Sequence, residues 1–190
     1  MKYLQNRFCT QVALLLLTMV TSMGAVQLVA DSPDLPVIGI DASGNKIAVW
    51  QVDADDGSHN IQASSFQPGI DTVWTTPVMI STSGVDSFSP SIVMNASGQA
   101  IATWIAVDTV NEVYTLTAAM GSVGSSWTSP LILSNSSHDV FALVPTQLNA
   151  DGDAVVIWNS YDTVSTATEV WTRAAVFNTS NTWDTALKVQ

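Results

Sequence analysis

Asp41-Ala-Ser-Gly-Asn-Lys-Ile-Ala-Val-Trp50 returns as Asn95-Ala-Ser-Gly-Gln-Ala-Ile-Ala-Thr-Trp104 and again as Asn149-Ala-Asp-Gly-Asp-Ala-Val-Val-Ile-Trp158. Each phrase stands 54 residues after the last, so the chain is a tandem repeat. A period near 50 residues belongs to solenoids, propellers and arrays, in which one supersecondary unit cannot bury its apolar face alone and stacks on a neighbour.

The repeat extends to both sides of the phrase. A second column of tryptophans, Trp74, Trp127 and Trp183, follows the first at 24, 23 and 25 residues. It leads into Trp74-Thr-Thr-Pro-Val-Met-Ile-Ser81, Trp127-Thr-Ser-Pro-Leu-Ile-Leu-Ser134 and the more divergent Trp183-Asp-Thr-Ala-Leu-Lys-Val-Gln190. Upstream, Pro36, Pro90 and Pro145 open the units, which run about 36–81, 90–134 and 145–190. Six of the seven tryptophans fall in the two columns, a regularity that assigns them to core packing.

Each unit reads as four short strands. The apolar runs are rich in Val, Ile and Thr, are bounded by Gly, Pro, Asn, Asp and Ser, and hold no 3.6-residue period outside the N-terminus. In the turn phrases an Asx side chain bonds its own backbone and a glycine accepts positive φ, so the first two strands form a hairpin. The second strand, over 46–52, 100–106 and 154–159, is apolar on both alternating faces: Ile47 and Val49 on one side, Ala48 and Trp50 on the other. A strand covered on both faces lies inside stacked sheets. The third strand runs over 61–66, 116–120 and 171–177, and the fourth follows the second tryptophan column. The expected fold is all-β: three tandem four-stranded antiparallel repeats making a partial β-propeller.

The motifs over 36–190, a proline before the Asx-Gly turn (Pro36-Val-Ile, Pro90-Ser-Ile), then Ala-Val-Trp50, Ile61-Gln-Ala63 and Trp74-x-x-Pro77, resemble the tandem repeats of secreted, mostly uncharacterised bacterial proteins with β-propeller-like blades. That resemblance implies a blade fold and no particular activity. The units are also distantly similar to the Asp-box blades of sialidases, although Gly44 precedes Trp50 by six residues where the Asp box has three.

Residues 1–30 differ in kind. Lys2 and Arg7 precede the apolar run Val12 to Val20, followed by small and polar residues up to Ala30. This order is that of an export signal cleaved near Ala30, leaving a repeat domain over 31–190. The apolar run is shorter than the ~20 residues that span a bilayer. Cys9 is the only cysteine and precedes the apolar run, so residues 31–190 carry no disulfide. From Asp31 onwards sixteen acidic residues face only Lys46, Arg173 and Lys188. Nucleic acid and anionic membrane surfaces recruit proteins through lysine and arginine, and neither is an expected partner.

Candidates for chemistry are few. His59 and His138 have no repeated counterpart and read as loop residues. Asp53, Asp55 and Asp56 around Gly57 offer oxygen donors to a hard cation such as calcium. The same Asp56-Gly57 pair is a common strand-connecting turn, and that is the preferred reading. Sequons at Asn95, Asn135 and Asn178 receive no role, Asn95 being a turn residue. No catalytic, cofactor-binding or metal-binding residue is assigned, and no cofactor is expected. The expected function is that of an exported, non-enzymatic binding or scaffolding module with a protein or glycan partner. The alternative is a fragment of a carbohydrate-binding or glycosidase-type propeller. Three blades are fewer than the four to eight of ordinary propellers, so the sequence also predicts either self-association that completes a ring or a piece of a longer protein.

Overall fold

The computed structural model describes residues 36–108, 112–134, 138–162, 170–178, 182–184 and 187–189. The expected export signal over 1–30, its expected cleavage near Ala30 and the sequon at Asn135 lie outside the described residues. Strands β1 (Val37–Ile40), β2 (Lys46–Asp53), β3 (His59–Phe66) and β4 (Val78–Met79) form a first sheet in that spatial order. Strands β5 (Ser87–Met94), β6 (Gln99–Asp108), β7 (Val113–Ser122) and β8 (Leu131–Ile132) form a second. The third contains β9 (His138–Leu148), β10 (Ala154–Asp162) and β11 (Val170–Asn178). Its outer lane is split into β12 (Thr182–Trp183) and β13 (Leu187–Val189), both paired with β11. All pairings are antiparallel, and no helix occurs among the described residues. The three sheets stack in an open series and do not close into a ring.

The turn phrase makes the same hairpin three times. Asp41 accepts the amides of Ser43 and Asn45 on Oδ1 at 2.8 and 2.9 Å. Asn95 accepts those of Ser97 and Gln99 at 3.1 and 3.0 Å, and Asn149 those of Asp151 and Asp153 at 3.0 and 2.8 Å. The turns also touch one another: Asn95 Nδ2 donates to the Asn149 carbonyl at 3.0 Å. A Cβ on Gly98, whose φ is +85°, would stand 3.0 Å from Asp41 Oδ2. Glycine is thus required here both by backbone conformation and by the neighbouring turn. With its amide committed to this stack, buried Asn95 is a structural residue and not a glycan acceptor.

Strands β5 and β9 begin at Ser87 and His138, ahead of the prolines that the sequence places at unit starts. Pro90 follows Ser89, whose φ is +53°, in a bulge between the pairs Phe88↔Ile105 and Ser91↔Thr103. Pro145 falls between Val144↔Ile157 and Gln147↔Val155, where the register also shifts. Proline has no amide to give a ladder, and a bulge is where a strand can tolerate it. The strands therefore continue through residues 90 and 145.

Each sheet has two faces, and the stacking is directional. Call the face bearing the first tryptophan column the front. Ile47, Val49 and Ile61 on the back of the first sheet pack against Ala102 and Trp104 on the front of the second. Ile105, Leu116 and Ala118 on the back of the second pack against Val156 and Trp158 on the front of the third. Trp104 and Trp158 are 1% and 0% exposed, as expected of core residues, whereas Trp50 is only half-buried. In the second column Trp74, Trp127 and Trp183 are all half-buried. The backbones of successive sheets approach through β5 and β9, the inner strands. Trp127 and Trp183 pack onto the two cores from the outer lanes, where the sheets diverge.

Two outcomes test this account. Truncating Trp104 to Ala removes a side chain enclosed between two sheets and should cost about 3–5 kcal/mol in urea melts, against about 0.5 kcal/mol or less for the exposed Asp55→Ala.

The second concerns acid. Burial alone would push the Asp41 carboxyl up, but donation by the Asn45 side chain and by the amides of Asn45, Ser43 and Gly44 outweighs it and holds the group below its ordinary 3.8. A carboxyl depressed by folding contributes stability that is present above its ordinary value and is lost as pH falls through the lower folded one. Asn95 and Asn149 make the same turn without a charge, so Asp41→Asn should keep the neutral-pH midpoint and lose less stability between pH 5 and pH 2. Asp41→Ala should cost about 1–3 kcal/mol at pH 7. Urea midpoints measured across that pH range compare the three proteins.

Candidate functional site

The acidic turn joins β2 to β3. The amide of Ala54 donates to the Ser58 carbonyl at 2.8 Å and that of Gly57 to Ala54 at 3.0 Å, with Gly57 at φ +82°. Asp56 Oδ1 accepts the hydroxyl and the amide of Ser58 at 2.6 and 3.0 Å, and these two bonds hold its carboxyl below the usual range. Asp53 faces the other way, its Oδ1 3.4 Å from His59 Nε2, and Asp55 is exposed. The three carboxylates read as a cation cluster therefore do not converge. Among the described residues no group of three His, Cys, Asp or Glu side chains is placed to hold a metal ion. The bonds that Ala54, Asp56, Gly57 and Ser58 make with one another are those of a strand-connecting turn.

His59 is not a simple loop residue. It opens β3, and its amide and Nδ1 both reach Asp86 Oδ1, at 2.9 and 2.7 Å, from the segment entering the second sheet. Because a carboxylate only accepts, Nδ1 carries the proton. The same tie recurs one unit on: the Tyr114 amide, opening β7, donates to Asp139 Oδ1 at 2.9 Å from the third sheet. These carboxylates clamp successive sheets together and are structural. The side chain of His138, at the start of β9, lies outside the described residues.

The outer lanes have matching clamps. Ser81 and Ser134 accept the amides of Ile61 and Leu116 at 2.9 and 2.8 Å. Thr75 and Thr128 accept those of Ser65 and Met120 at 2.9 and 3.0 Å. The Thr and Ser of the tryptophan motif thus satisfy third-strand donors that the two-residue β4 and β8 are too short to reach.

Between these outer lanes runs a groove of about 220 Å³. The first sheet contributes Ile47, Ala63, Ser64, Ser65, Thr75, Thr76 and Val78, and the second Ser122, Gly124, Ser125 and Trp127. The Trp127 indole lies on Gly121, where an added Cβ would come within 2.7 Å of the ring. That contact fixes the ring while leaving it half-buried in the groove wall. Ser64 Oγ donates to the Thr75 carbonyl at 2.6 Å. The hydroxyls of Thr76, Ser122 and Ser125 make no such bond among the described residues. On the front of the first sheet, away from the groove, Phe66 and Trp74 pack with ring centroids 5.9 Å apart, and Lys46 Nζ lies 5.2 Å from the Phe66 centroid. Among the described residues the groove wall has no ionisable side chain. Sequence reasoning missed this site because its two walls lie some 60 residues apart; its only signal was the repeated Trp-Thr pair.

No family model matches the chain, and no curated protein matches it. Among solved structures it is similar to an endo-arabinase from Bacteroides thetaiotaomicron VPI-5482, with 14% identity and a TM-score of 0.45 over 72% of this chain and 54% of that one. It is also similar to a hypothetical protein from Leishmania major, with 10% identity and a TM-score of 0.41 over 83% and 52% of the respective chains. The chain thus spans about half the length of each.

Removing the Asp86 carboxylate takes away an acceptor of the His59 amide at a half-exposed site, so Asp86→Ala should cost about 1–2 kcal/mol, the low end for a charge-assisted bond. Asp55→Ala should cost about 0.5 kcal/mol or less. Millimolar calcium should leave both melting midpoints and the wild-type midpoint unchanged, because a ligand shifts stability only by binding the native state. Parallel thermal melts with calcium and with chelator check all three.

Proposed function

We propose that this chain is an exported, non-enzymatic binding module built from propeller-type blades, whose inter-sheet groove takes a neutral, polyhydroxylated ligand of the glycan class. The observation that carries the reading is the make-up of the groove. Trp127 offers an immobilised aromatic face, and the surrounding hydroxyls both donate and accept, the pairing that suits a sugar's C–H face and its hydroxyl rim. With no cation in its wall and sixteen acidic residues against three basic ones from Asp31 onwards, the groove and its surroundings disfavour phosphate, nucleic acid and other anions. At about 220 Å³ it is smaller than the roughly 300–1,000 Å³ of drug-sized sites, which favours one ring or one chain end. The non-enzymatic part rests on the absence of any carboxylate in the groove wall, since glycoside hydrolysis uses a pair of them flanking the bond. Export is supported by the basic and apolar order of residues 2–20.

A glycan array followed by tryptophan-fluorescence titration tests the reading. Neutral glycans should bind, and Ser125→Tyr, which fills the groove from an exposed position, should weaken binding at least tenfold with an unchanged melting midpoint. Binding unaffected by Ser125→Tyr would move the site elsewhere, and release of shortened products from the bound glycan would overturn the non-enzymatic assignment.

A further inference from the structure

The two outermost faces of the stack are homologous to faces that its interior buries. Within the stack, the back of one sheet always receives the front of the next, and the positions concerned are superimposable through strand register. Ile40, Met94 and Leu148 occupy one such position on the front, each the last residue of an inner strand and paired with Lys46, Ala100 and Ala154. Met94 and Leu148 are half-buried against the preceding sheet, but Ile40 is 57% exposed and its face-mate Ile38 46%. Trp50 repeats the pattern, half-buried where Trp104 and Trp158 are enclosed. At the far end, Ile47, Ile101 and Val155 share a position on the back: the first two are 1% exposed and Val155 is 36% exposed. One end of the stack thus presents an uncovered front, and the other an uncovered back of the type that fronts pack against.

We propose that the front of the first sheet docks on the back of the third sheet of a second copy of this chain. The internal packing of Trp104 against Ile47 and Val49, and of Trp158 against Leu116 and Ala118, is the template for the contact. Because front and back are different surfaces, the contact is heterologous, and two copies satisfy both free faces at once by closing a ring of six sheets, within the usual range for propellers. The occupant follows from complementarity: an aliphatic, alternating β-surface is what each internal front already accepts, and the third sheet's back, with Val155 and half-buried Ile157, is such a surface. This inference depends on the stacking of the sheets and not on what the groove binds.

The test uses the 190-residue chain, expressed with its N-terminal segment intact and purified as the cell exports it, in sedimentation velocity from 1 to 100 µM. The expected result is a dimer. Ile40→Asp on the front and Val155→Asp on the back, both at exposed positions, should each give monomers, with far-UV circular dichroism unchanged; Ile38→Asp replaces the first should it alter the spectrum. An equimolar mixture of the front and back variants should recover dimer, because each partner supplies one intact face, and neither variant recovers it alone. A wild-type monomer throughout the range would overturn the proposal, since the face is then covered within its own chain or left bare. A dimer abolished by Ile40→Asp and indifferent to Val155→Asp would equally overturn it, as that is the behaviour of a front-to-front contact.

Discussion

Two apolar faces on one strand are the constraint from which the rest of this structure follows. In β2, β6 and β10 both faces of the sheet carry mainly aliphatic or aromatic residues, so a single sheet in water would leave one apolar face exposed whatever it did with the other. Stacking removes both at once. The bulky first-column tryptophan on one face and the flat Ile–Val pattern on the other make the stacking polar, front onto back, so that sheets add in one direction. Alanine at 100 and 102 allows the inner strands to approach, while tryptophans fill the space farther out.

Close stacking creates a second demand, for hydrogen bonds at the margins of sheets whose outer strands are short. The repeat meets it with side chains in fixed places. Asx residues close the inner turns, Thr75 and Thr128 with Ser81 and Ser134 serve the outer edges of β3 and β7, and Asp86 and Asp139 tie β3 and β7 to the following sheets. Polar residues that look interchangeable in the sequence are thus tied to individual amides. The sparse charge of the chain is committed in the same way. Lys46 bonds the Gly44 carbonyl at 3.0 Å and lies near Phe66, while Asp41 and Asp56 accept local donors.

The proposed binding role grows from the same geometry. Sheets that meet along inner strands separate towards their outer lanes, and the gap between the first two is where Trp127 and the hydroxyls face each other. A motif that serves the fold, Trp-Thr, lends one member from each of two copies to the groove, Thr75 and Trp127, as a by-product. The acidic turn at Asp53 to Asp56, which stands out in the sequence, lies apart from that groove and is consumed in closing a hairpin.

The sequence by itself determined the repeated phrases, the all-β class, the hairpin turns and the strands that carry the core. Those properties are local or periodic: an Asx-Gly phrase closes a turn with residues within four positions of it, and alternation marks both faces of a strand as buried. Placing β5 and β9 around prolines was beyond it, because a bulge depends on the partner strand's register. It also could not say that His59 meets Asp86, that Trp127 rests on Gly121 beside the hydroxyls of another unit, or that Trp50 stays half-open while Trp104 does not. Identical motifs carry identical local physics. Only the tertiary structure decides which copy of a motif has a neighbour, because burial belongs to the stack and not to the strand.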